Sequence, residues 1–373
     1  MNSKTEQRPT IQDRYTGCLL GGAVGDALGA PVEFMTRAQI LRDFGPDGIT
    51  RYAPAFGSLG RITDDTQMTL FTAEGLLRAW VRGCVRGGST YQGITALSYL
   101  RWLLTQGEKP ARSAQFTNDE PGWLYTNPEL HSRRAPGNTC LAALRNTKSP
   151  GAPASNDSKG CGGVMRVAPV GLFCWRLQQR QTIQDVFALG AQLAALTHGH
   201  PTGSLTAGVL AVLIMLLTDN MALTDALGRC KPLLRNERGH EETLHAIEQA
   251  EALASSDQPH DVAIAQLGQG WVAEEALAIS IYCALVARSF EHGVILAVNH
   301  DGDSDSTGSI TGNLLGTRYG VQAIPEQWLN PLELRAVITS VAEDLHAFKD
   351  WDIGEIAEDQ TLTRIIWQKY PGN

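Results

Sequence analysis

The spacing of apolar residues along the chain is typical of helices. Between Thr66 and Gly83 the larger apolar residues recur at intervals of three to five positions, which places them on one face of a helix. These residues are Met68, Phe71, Leu76 and Trp80. No convincing segment alternates apolar and polar residues over six positions, as a half-buried strand would. The pattern therefore predicts an all-α protein.

The same periodicity predicts further helices at Gln92–Thr105, Ile183–Thr197, Thr202–Thr218, Glu241–Ser256, Glu274–Arg288 and Leu332–Phe348. Two stretches rich in Gly, Pro, Ser and Asn are predicted loops, Gly107–Pro136 and Thr147–Gly163. Long loops of this kind carry function or reflect irregular packing, and both interpretations stay open. Composition does not shift at any linker, so we predict a single domain over residues 14–373, preceded by a polar N-terminal extension, residues 1–13.

Two segments repeat glycine at every fourth position. The first contains Gly17, Gly21, Gly25 and Gly29, and the second contains Gly308, Gly312, Gly316 and Gly320. Because each glycine inside a helix costs about 1 kcal/mol relative to alanine, a stripe of them needs compensation from close packing. The hypothesis is that both segments are tightly packed core helices, with close approach to each other as one arrangement. The alternative places some of these glycines in loops, which we expect for Gly29 and Gly320.

Composition narrows the functional classes. The hydrophobic fraction of 43% over 373 residues is enough for a sizeable core, and the net charge of −8 with scattered basic residues disfavours a nucleic-acid binder. The seven cysteines form no C-x-x-C motif, which favours reduced thiols. The longest apolar run, Gly208–Leu217, is too short to span a bilayer, and the N-terminus does not resemble a signal peptide. We therefore expect a soluble cytoplasmic protein with no membrane association.

An acidic run precedes the second glycine stripe. Asp301, Asp303 and Asp305 stand at alternate positions, but an EF-hand is excluded because Ser306 and Gly312 occupy the places that require Gly and Glu. Helix capping needs only one such residue, whereas three carboxylates within five positions repel one another unless a cation lies between them. The run favours metal binding, and a solvated acidic loop is the open alternative.

A second cluster of oxygen ligands stands before another predicted helix. Thr63, Asp64, Asp65 and Thr66 are consecutive there. The two clusters together offer an all-oxygen ligand set, which suits Mg²⁺, Mn²⁺ or Ca²⁺ and disfavours zinc. This number of carboxylates is enough to hold two ions close together.

Seven sequence motifs, taken in order, extend over nearly the whole chain. They are GCLLGGAVGDALGAPVEF (17–34), TDDTQM (63–68), GNTCLAAL (137–144), SKGCGGVMRVAPVGL (158–172), LTHGHP (196–201), GWVAEEAL (270–277) and HDGDSDSTGSITG (300–312). In this order they resemble the ADP-ribosylglycohydrolases, a family that includes the dinitrogenase reductase-activating glycohydrolase. The resemblance implies an all-α fold and a dinuclear magnesium site, with Mn²⁺ as a possible substitute. It also implies hydrolysis of the glycosidic bond that joins ADP-ribose to an acceptor.

The resemblance implies two groups of metal ligands. The first is Thr63, Asp64 and Asp65, and the second is Asp303, Asp305 and Ser306. Asp301 stands where the family often has glycine and is not counted as a ligand. Asp64 or Asp65 is expected to orient the attacking water or to act as the base, with the acid and base left unassigned.

The remaining implied roles concern the substrate. Glu33 matches a glutamate on a mobile segment that contacts metal or covers the substrate, and its alternative is a surface carboxylate. The pyrophosphate loop is implied at Lys159, Gly160, Gly162 and Gly163, and a structural turn is the alternative. His198 matches a histidine near the ADP-ribose. The helix that Glu274 and Glu275 open lines the pocket in relatives, although helix-dipole complementarity alone would explain both. Asp26 and Arg166 are expected to be structural.

The acceptor and the partners are less constrained. An ADP-ribosylated protein is the expected substrate, with arginine preferred and serine, a nucleobase or a small molecule as alternatives. A different class of function is an immunity-type protein that counters an ADP-ribosylating toxin partly by direct binding, with residues 1–13 as a contacting arm. The intact set of ligand positions argues against a purely steric role.

Overall fold

The computed structural model describes residues 8–111, 116–358 and 360–372. Within these ranges the chain forms α-helices and short 3₁₀ turns, with isolated bridges at Ala55–Ser58 and Gly160–Val272 and no β-strand. The α-helices are α1 (Ile11–Gly29), α2 (Arg37–Phe44), α3 (Asp64–Arg86), α4 (Tyr91–Thr105), α5 (Asn138–Arg145), α6 (Ala168–Arg176), α7 (Ile183–Ala195), α8 (Pro201–Thr218), α9 (Leu223–Arg235), α10 (Glu241–Ala254), α11 (His260–Leu267), α12 (Ala273–Val286), α13 (Phe290–Val298), α14 (Ser304–Tyr319), α15 (Glu326–Leu329), α16 (Arg335–Ala347) and α17 (Gln360–Lys369). The all-α prediction is confirmed, and every helix predicted from periodicity is present.

The pair α1 and α14 forms the centre of the fold. A Cβ atom added to Gly21 would lie 2.4 Å from the carbonyl oxygen of Gly312, and one added to Gly25 would lie 2.0 Å from that of Gly308. Only glycine permits this approach, because each backbone occupies the space that a side chain would need. The glycine stripes therefore do pack against each other, as the sequence hypothesis allowed.

Gly29 and Gly320, the last glycines of the two stripes, lie in different backbone environments. Gly29 was expected in a loop, but it is the last residue of α1, where an added Cβ would lie 2.3 Å from the carbonyl oxygen of Ser304. Gly320 follows α14 with φ +77°, so the expectation of a loop is correct there. The contact of Gly29 with Ser304 fixes the C-terminal end of α1 against the N-terminal end of α14.

Helix α8 is apolar on all sides and belongs to the core. By length and composition alone this helix could span a membrane. However, 89% of it is buried inside the described part of the fold. The apolar run Gly208–Leu217 lies within this helix, and all of its residues are buried. The seven cysteines are free thiols; Cys84 is exposed, Cys161 is half-buried and the others are buried.

The predicted extension and loops are partly structured. Residues 1–7 lie outside the described residues, and α1 begins at Ile11, so the last three residues of the predicted extension are helical. Thr10 and Asp13 form a capping box there. The predicted loop Gly107–Pro136 contains a 3₁₀ turn at Pro128–Leu130, and its residues 112–115 lie outside the described ranges. The predicted loop Thr147–Gly163 ends in a 3₁₀ turn at Cys161–Gly163.

Candidate functional site

Asp26 on α1 fixes the start of α3. Its carboxylate is fully buried and accepts hydrogen bonds from the backbone N–H of Thr63 (3.0 Å), the N–H of Thr66 (3.1 Å) and the Thr66 hydroxyl. These bonds satisfy N–H groups that a helix start leaves without partners. The sequence expectation of a structural role for Asp26 agrees with this geometry.

The first acidic cluster lies at the N-terminus of α3. Thr63 is the N-cap, and its hydroxyl accepts from the N–H of Asp65 at 3.2 Å. Asp64 is held from both sides, since its N–H donates to the carbonyl oxygen of Arg134 (3.0 Å) and its Oδ2 accepts from the N–H of Gly137 (3.1 Å). Asp65 is 2% exposed, and its Oδ1 atom has no hydrogen-bond partner.

The second acidic cluster lies at the N-terminus of α14. Asp303 is the N-cap; its Oδ1 accepts from the N–H of Ser306 (3.3 Å) and its Oδ2 accepts from the Cys161 thiol (2.8 Å). Asp305 Oδ1 also accepts from the N–H of Ser306, at 3.0 Å. The hydroxyl of Ser306 reaches Asp65 Oδ2 at 3.4 Å, so this serine joins two clusters that are 241 positions apart in the sequence.

Five carboxylates line one cleft of about 620 Å³, its open mouth included: Glu33, Asp64, Asp65, Asp303 and Asp305. Glu33, Asp303 and Asp305 each place one carboxylate oxygen within 4.8 Å of the others. Asp301 is exposed, accepts from the N–H of Arg37 and does not line the cleft, in agreement with its exclusion from the ligand set.

Crowding and burial disfavour ionisation of these carboxylates. Burial first, and then the charges of Asp305 and Asp303, raise the pKa of Glu33 to about 10. Burial and neighbouring carboxylates likewise raise the pKa of Asp65 and of Asp303 well above the usual range. A divalent cation would relieve this repulsion, and the unpartnered Oδ1 of Asp65 is a ready ligand. The all-oxygen set therefore fits hard divalent cations.

The glycine-rich loop and His198 form another part of the cleft wall, next to the carboxylates. Gly160 and Gly162 line the cleft, whereas Gly163 is buried behind it. A Cβ on Gly162 would lie 3.1 Å from His198 Cε1 and 2.8 Å from the sulfur of Cys140, so the loop approaches the ring closely only with glycine. Burial, followed by the charge of Arg166, lowers the pKa of His198 to about 3, which keeps the imidazole neutral at physiological pH.

Arg166 braces this wall from behind, as the sequence predicted. Its guanidinium donates to the Thr197 hydroxyl (2.7 Å) and to the carbonyl oxygen of Leu193 (3.2 Å), and it lies over the ring of Tyr99 at 4.4 Å. The Thr197 hydroxyl in turn contacts His198 Nδ1 at 2.8 Å. Arg166 therefore orients the histidine through Thr197.

Lys159 does not join the other predicted site residues. Its ammonium group pairs with Glu242 (2.9 Å) and with Glu274, and it lines a neighbouring pocket instead of the cleft. Glu242 and Glu274 therefore neutralise the positive charge of Lys159 that was expected to face the pyrophosphate. Glu274 and Glu275 also line that neighbouring pocket, and Glu275 accepts from the N–H of Gly270 (3.1 Å). The position of Lys159 does not support the expected contact with pyrophosphate, and neither glutamate lines the cleft.

Six further residues line the cleft and lie inside the sequence motifs, although no individual role was expected for them: Asn138, Thr139, Cys140, Cys161, Met165 and Trp271. Trp271 is 37% exposed, and its ring stacks on that of Phe34, with centroids 5.6 Å apart and planes at 16°. Both aromatic residues fall inside quoted motifs, yet only tertiary structure places them together.

The family model for ADP-ribosylglycohydrolase matches residues 7–353. The chain belongs to the ADP-ribosylglycohydrolase family. It is 29% identical over 343 residues to an ADP-ribosyl-[dinitrogen reductase] glycohydrolase of Rhodospirillum rubrum, a match that covers 88% of this chain and 92% of the relative. It is 24% identical to an ADP-ribosylarginine hydrolase of Serratia proteamaculans (89% and 79% covered) and 24% identical to an ADP-ribosylhydrolase of Homo sapiens (89% and 93% covered).

The structural comparison agrees with this assignment. A solved structure described as an ADP-ribosylglycohydrolase-related protein complex superposes with a TM-score of 0.66 at 27% sequence identity. The match covers 91% of this chain and 98% of the solved chain. The whole domain, and not one motif region, is therefore shared.

Proposed function

We propose that the protein is a metal-dependent hydrolase that removes mono-ADP-ribose from a modified acceptor, with protein arginine as the preferred acceptor, and releases free ADP-ribose. The observation that carries this proposal is the single cleft in which the N-termini of α3 and α14 place four aspartates beside Glu33 and the glycine-rich loop. Membership of the family supplies the class of reaction.

The residues of the cleft that would hold two divalent cations are Asp64, Asp65, Asp303, Asp305 and Ser306, with Glu33 beside them. Thr63, the N-cap of α3, is the sixth proposed ligand, although it does not line the cleft. Mg²⁺ is the favoured ion, and Mn²⁺ has the same preference for oxygen ligands. Bound cations would supply the positive charge that keeps these carboxylates ionised and makes water a better nucleophile at neutral pH.

The residues of the chain would orient the substrate and the attacking water. Backbone N–H groups at Gly160 and Gly162 would donate hydrogen bonds to the pyrophosphate oxygens, which would direct the distal ribose toward the carboxylates. Asp64 or Asp65 would orient the attacking water or take its proton, and Asp64 Oδ2 is already engaged by the N–H of Gly137. Neutral His198 offers a hydrogen bond without adding charge.

Arginine is preferred as the acceptor because a relative of similar overall layout is named an ADP-ribosylarginine hydrolase. The expected partner is therefore an ADP-ribosylated protein.

The expected compartment is the cytoplasm, because free thiols at all seven cysteines fit a reducing environment.

The proposal is tested by release of ADP-ribose from a mono-ADP-ribosyl-arginine protein. We expect turnover with Mg²⁺, loss of turnover with EDTA, and loss in Asp305→Ala. Asp301→Ala is the matched control, because Asp301 belongs to the same acidic run but is exposed and outside the cleft. Turnover that persists in EDTA or in Asp305→Ala would contradict the proposal.

A further inference from the structure

The mouth of the cleft carries a pair of exposed aromatic rings. Phe34 is 76% exposed and Trp271 is 37% exposed, although large apolar side chains are usually buried. The two rings stack with planes at 16°, so one face of Phe34 is covered by Trp271 while most of its surface stays open to solvent. The two rings belong to segments that are far apart in the sequence, so the tertiary structure brings them together.

The backbone around Trp271 is anchored. Its carbonyl oxygen accepts from the N–H of Cys161 (3.3 Å), next to the bridge between Gly160 and Val272. The loop before it is fixed by Glu275, which accepts from the N–H of Gly270. Trp271 lines the cleft from this anchored backbone, and Phe34 stacks on its ring.

Phe34 is the chain neighbour of a carboxylate of the cleft. It follows Glu33 directly, and Glu33 has a carboxylate oxygen within 4.8 Å of those of Asp303 and Asp305. An anomeric carbon held at these carboxylates would therefore lie near Phe34. The exposed face of this ring would then be available to the group attached to the sugar.

We infer that Phe34 and Trp271 form an acceptor platform that stacks on the planar guanidinium of an ADP-ribosylated arginine. This inference rests on the proposed function and names the group that discriminates between acceptors. An aromatic face attracts the positively charged plane of a guanidinium group. It offers no comparable attraction to the small neutral hydroxyl-derived link to serine, so the platform selects arginine over serine.

The test compares acceptor-dependent turnover with binding of the product. Wild type, Phe34→Leu, Trp271→Leu and Phe34→Tyr are assayed with Mg²⁺ on arginine-linked and serine-linked substrates, and free ADP-ribose is titrated by calorimetry. Loss of the aromatic face of Phe34 is expected to lower kcat/KM for the arginine-linked substrate by about 2- to 30-fold, mainly through KM. Affinity for ADP-ribose is expected to be unchanged, and Phe34→Tyr is expected to restore the wild-type value. Ile365→Ala, an exposed apolar residue on α17, is the control.

The outcomes separate the platform from the proposed function. Equal loss of ADP-ribose affinity in Phe34→Leu would overturn the inference, because the ring would then serve the nucleotide half. Unchanged arginine kinetics in both leucine variants would overturn it as well. If the wild type hydrolyses no substrate, the proposed function fails, and the platform is judged by titration with ADP-ribosyl-arginine. Tighter binding than ADP-ribose that is lost in Phe34→Leu would support the platform, and equal binding would overturn it.

Discussion

The contact between α1 and α14 gives the sharpest prediction about stability. The perturbation is Gly312→Ala, which adds one methyl group in the middle of α14. That group would lie 2.0 Å from the carbonyl oxygen of Gly21 and 2.5 Å from its carbonyl carbon. These atoms are backbone, so no side-chain rotation relieves the overlap, and the two helices must separate until the contact reaches roughly 3.4 Å.

The expected change in the free energy of unfolding is the sum of two opposing effects. Overpacking a well-packed core costs about 1–3 kcal/mol, and a backbone obstruction in the central helix pair belongs at the upper end. Replacing a helical glycine by alanine returns about 1 kcal/mol. The net destabilisation is therefore about 2 kcal/mol. Because the unfolding entropy is roughly 2.1 cal/mol/K for each residue, the Tm of this chain should fall by about 3 °C.

The assay is thermal unfolding of the wild type, Gly312→Ala and Gly228→Ala. Gly228 lies in the middle of α9, and no atom lies within 4 Å of its added Cβ. Gly228→Ala should therefore gain about 1 kcal/mol, since only helix propensity changes. A Gly312→Ala protein as stable as Gly228→Ala would refute the reasoning, because glycine would then serve no packing purpose at that position.

Three further predictions concern the surroundings of the site. His198 has a pKa of about 3 in the folded protein against 6.5 in the unfolded chain, so the unfolded state binds more protons between these values and the stability supplied by neutral His198 is lost as pH falls. Urea unfolding should show that lowering the pH from 7 to 5 destabilises His198→Gln by about 2 kcal/mol less than the wild type, and equal losses would contradict this. Asp26→Asn should weaken Mg²⁺ binding by roughly 10- to 100-fold in calorimetry while Asp301→Asn leaves it unchanged, because the Asp26 carboxylate fixes the backbone of Thr63 and Thr66; unchanged affinity in Asp26→Asn would rule out this positioning role. Glu333→Ala should lose about 3–5 kcal/mol in denaturant unfolding, since it leaves buried Arg134 without its carboxylate partner at 3.0 Å, and a loss under 1 kcal/mol would show that the pair is dispensable.

The sequence predicted most of the long helices, because an amphipathic or glycine-striped segment of three or more turns repeats its pattern several times. Among the long helices it missed α9 (Leu223–Arg235), which carries Pro232 in its interior. It also missed the helices of ten residues or fewer, α2, α5, α6, α11, α13, α15 and α17, because one to three turns give too few repeats to distinguish a helix from a loop. The caps of α2 were nevertheless readable, since Thr36 and Gln39 form a capping box and Gly45 follows the helix.

The candidate site was predictable where the motif itself carries the chemistry. Asp303, Asp305 and Ser306 lie at a helix start, and so do Asp64 and Asp65, as their positions before predicted helices indicated. Side-chain direction was not predictable from local sequence. Lys159 turns away from the cleft because Glu242 and Glu274, 83 and 115 positions away, offer it carboxylates.

The aromatic pair shows the same limit. Phe34 and Trp271 occupy two separate motifs, and neither motif indicates that the rings stack. Their contact depends on the close packing of α1 against α14, which brings the segment after α1 beside the loop before α12. Non-local contacts of this kind are fixed by tertiary packing and leave no periodic signal in the chain.

The central claim is that two divalent cations lie between the acidic clusters of α3 and α14, and the most direct test is the stoichiometry of Mn²⁺ binding measured by electron paramagnetic resonance. We expect each wild-type chain to bind two Mn²⁺ ions with spin coupling between them. Asp305→Ala is expected to lose at least one ion, whereas Asp301→Ala is expected to retain both. A wild-type chain that binds no Mn²⁺, or an Asp305→Ala chain that still binds two coupled ions, would contradict it.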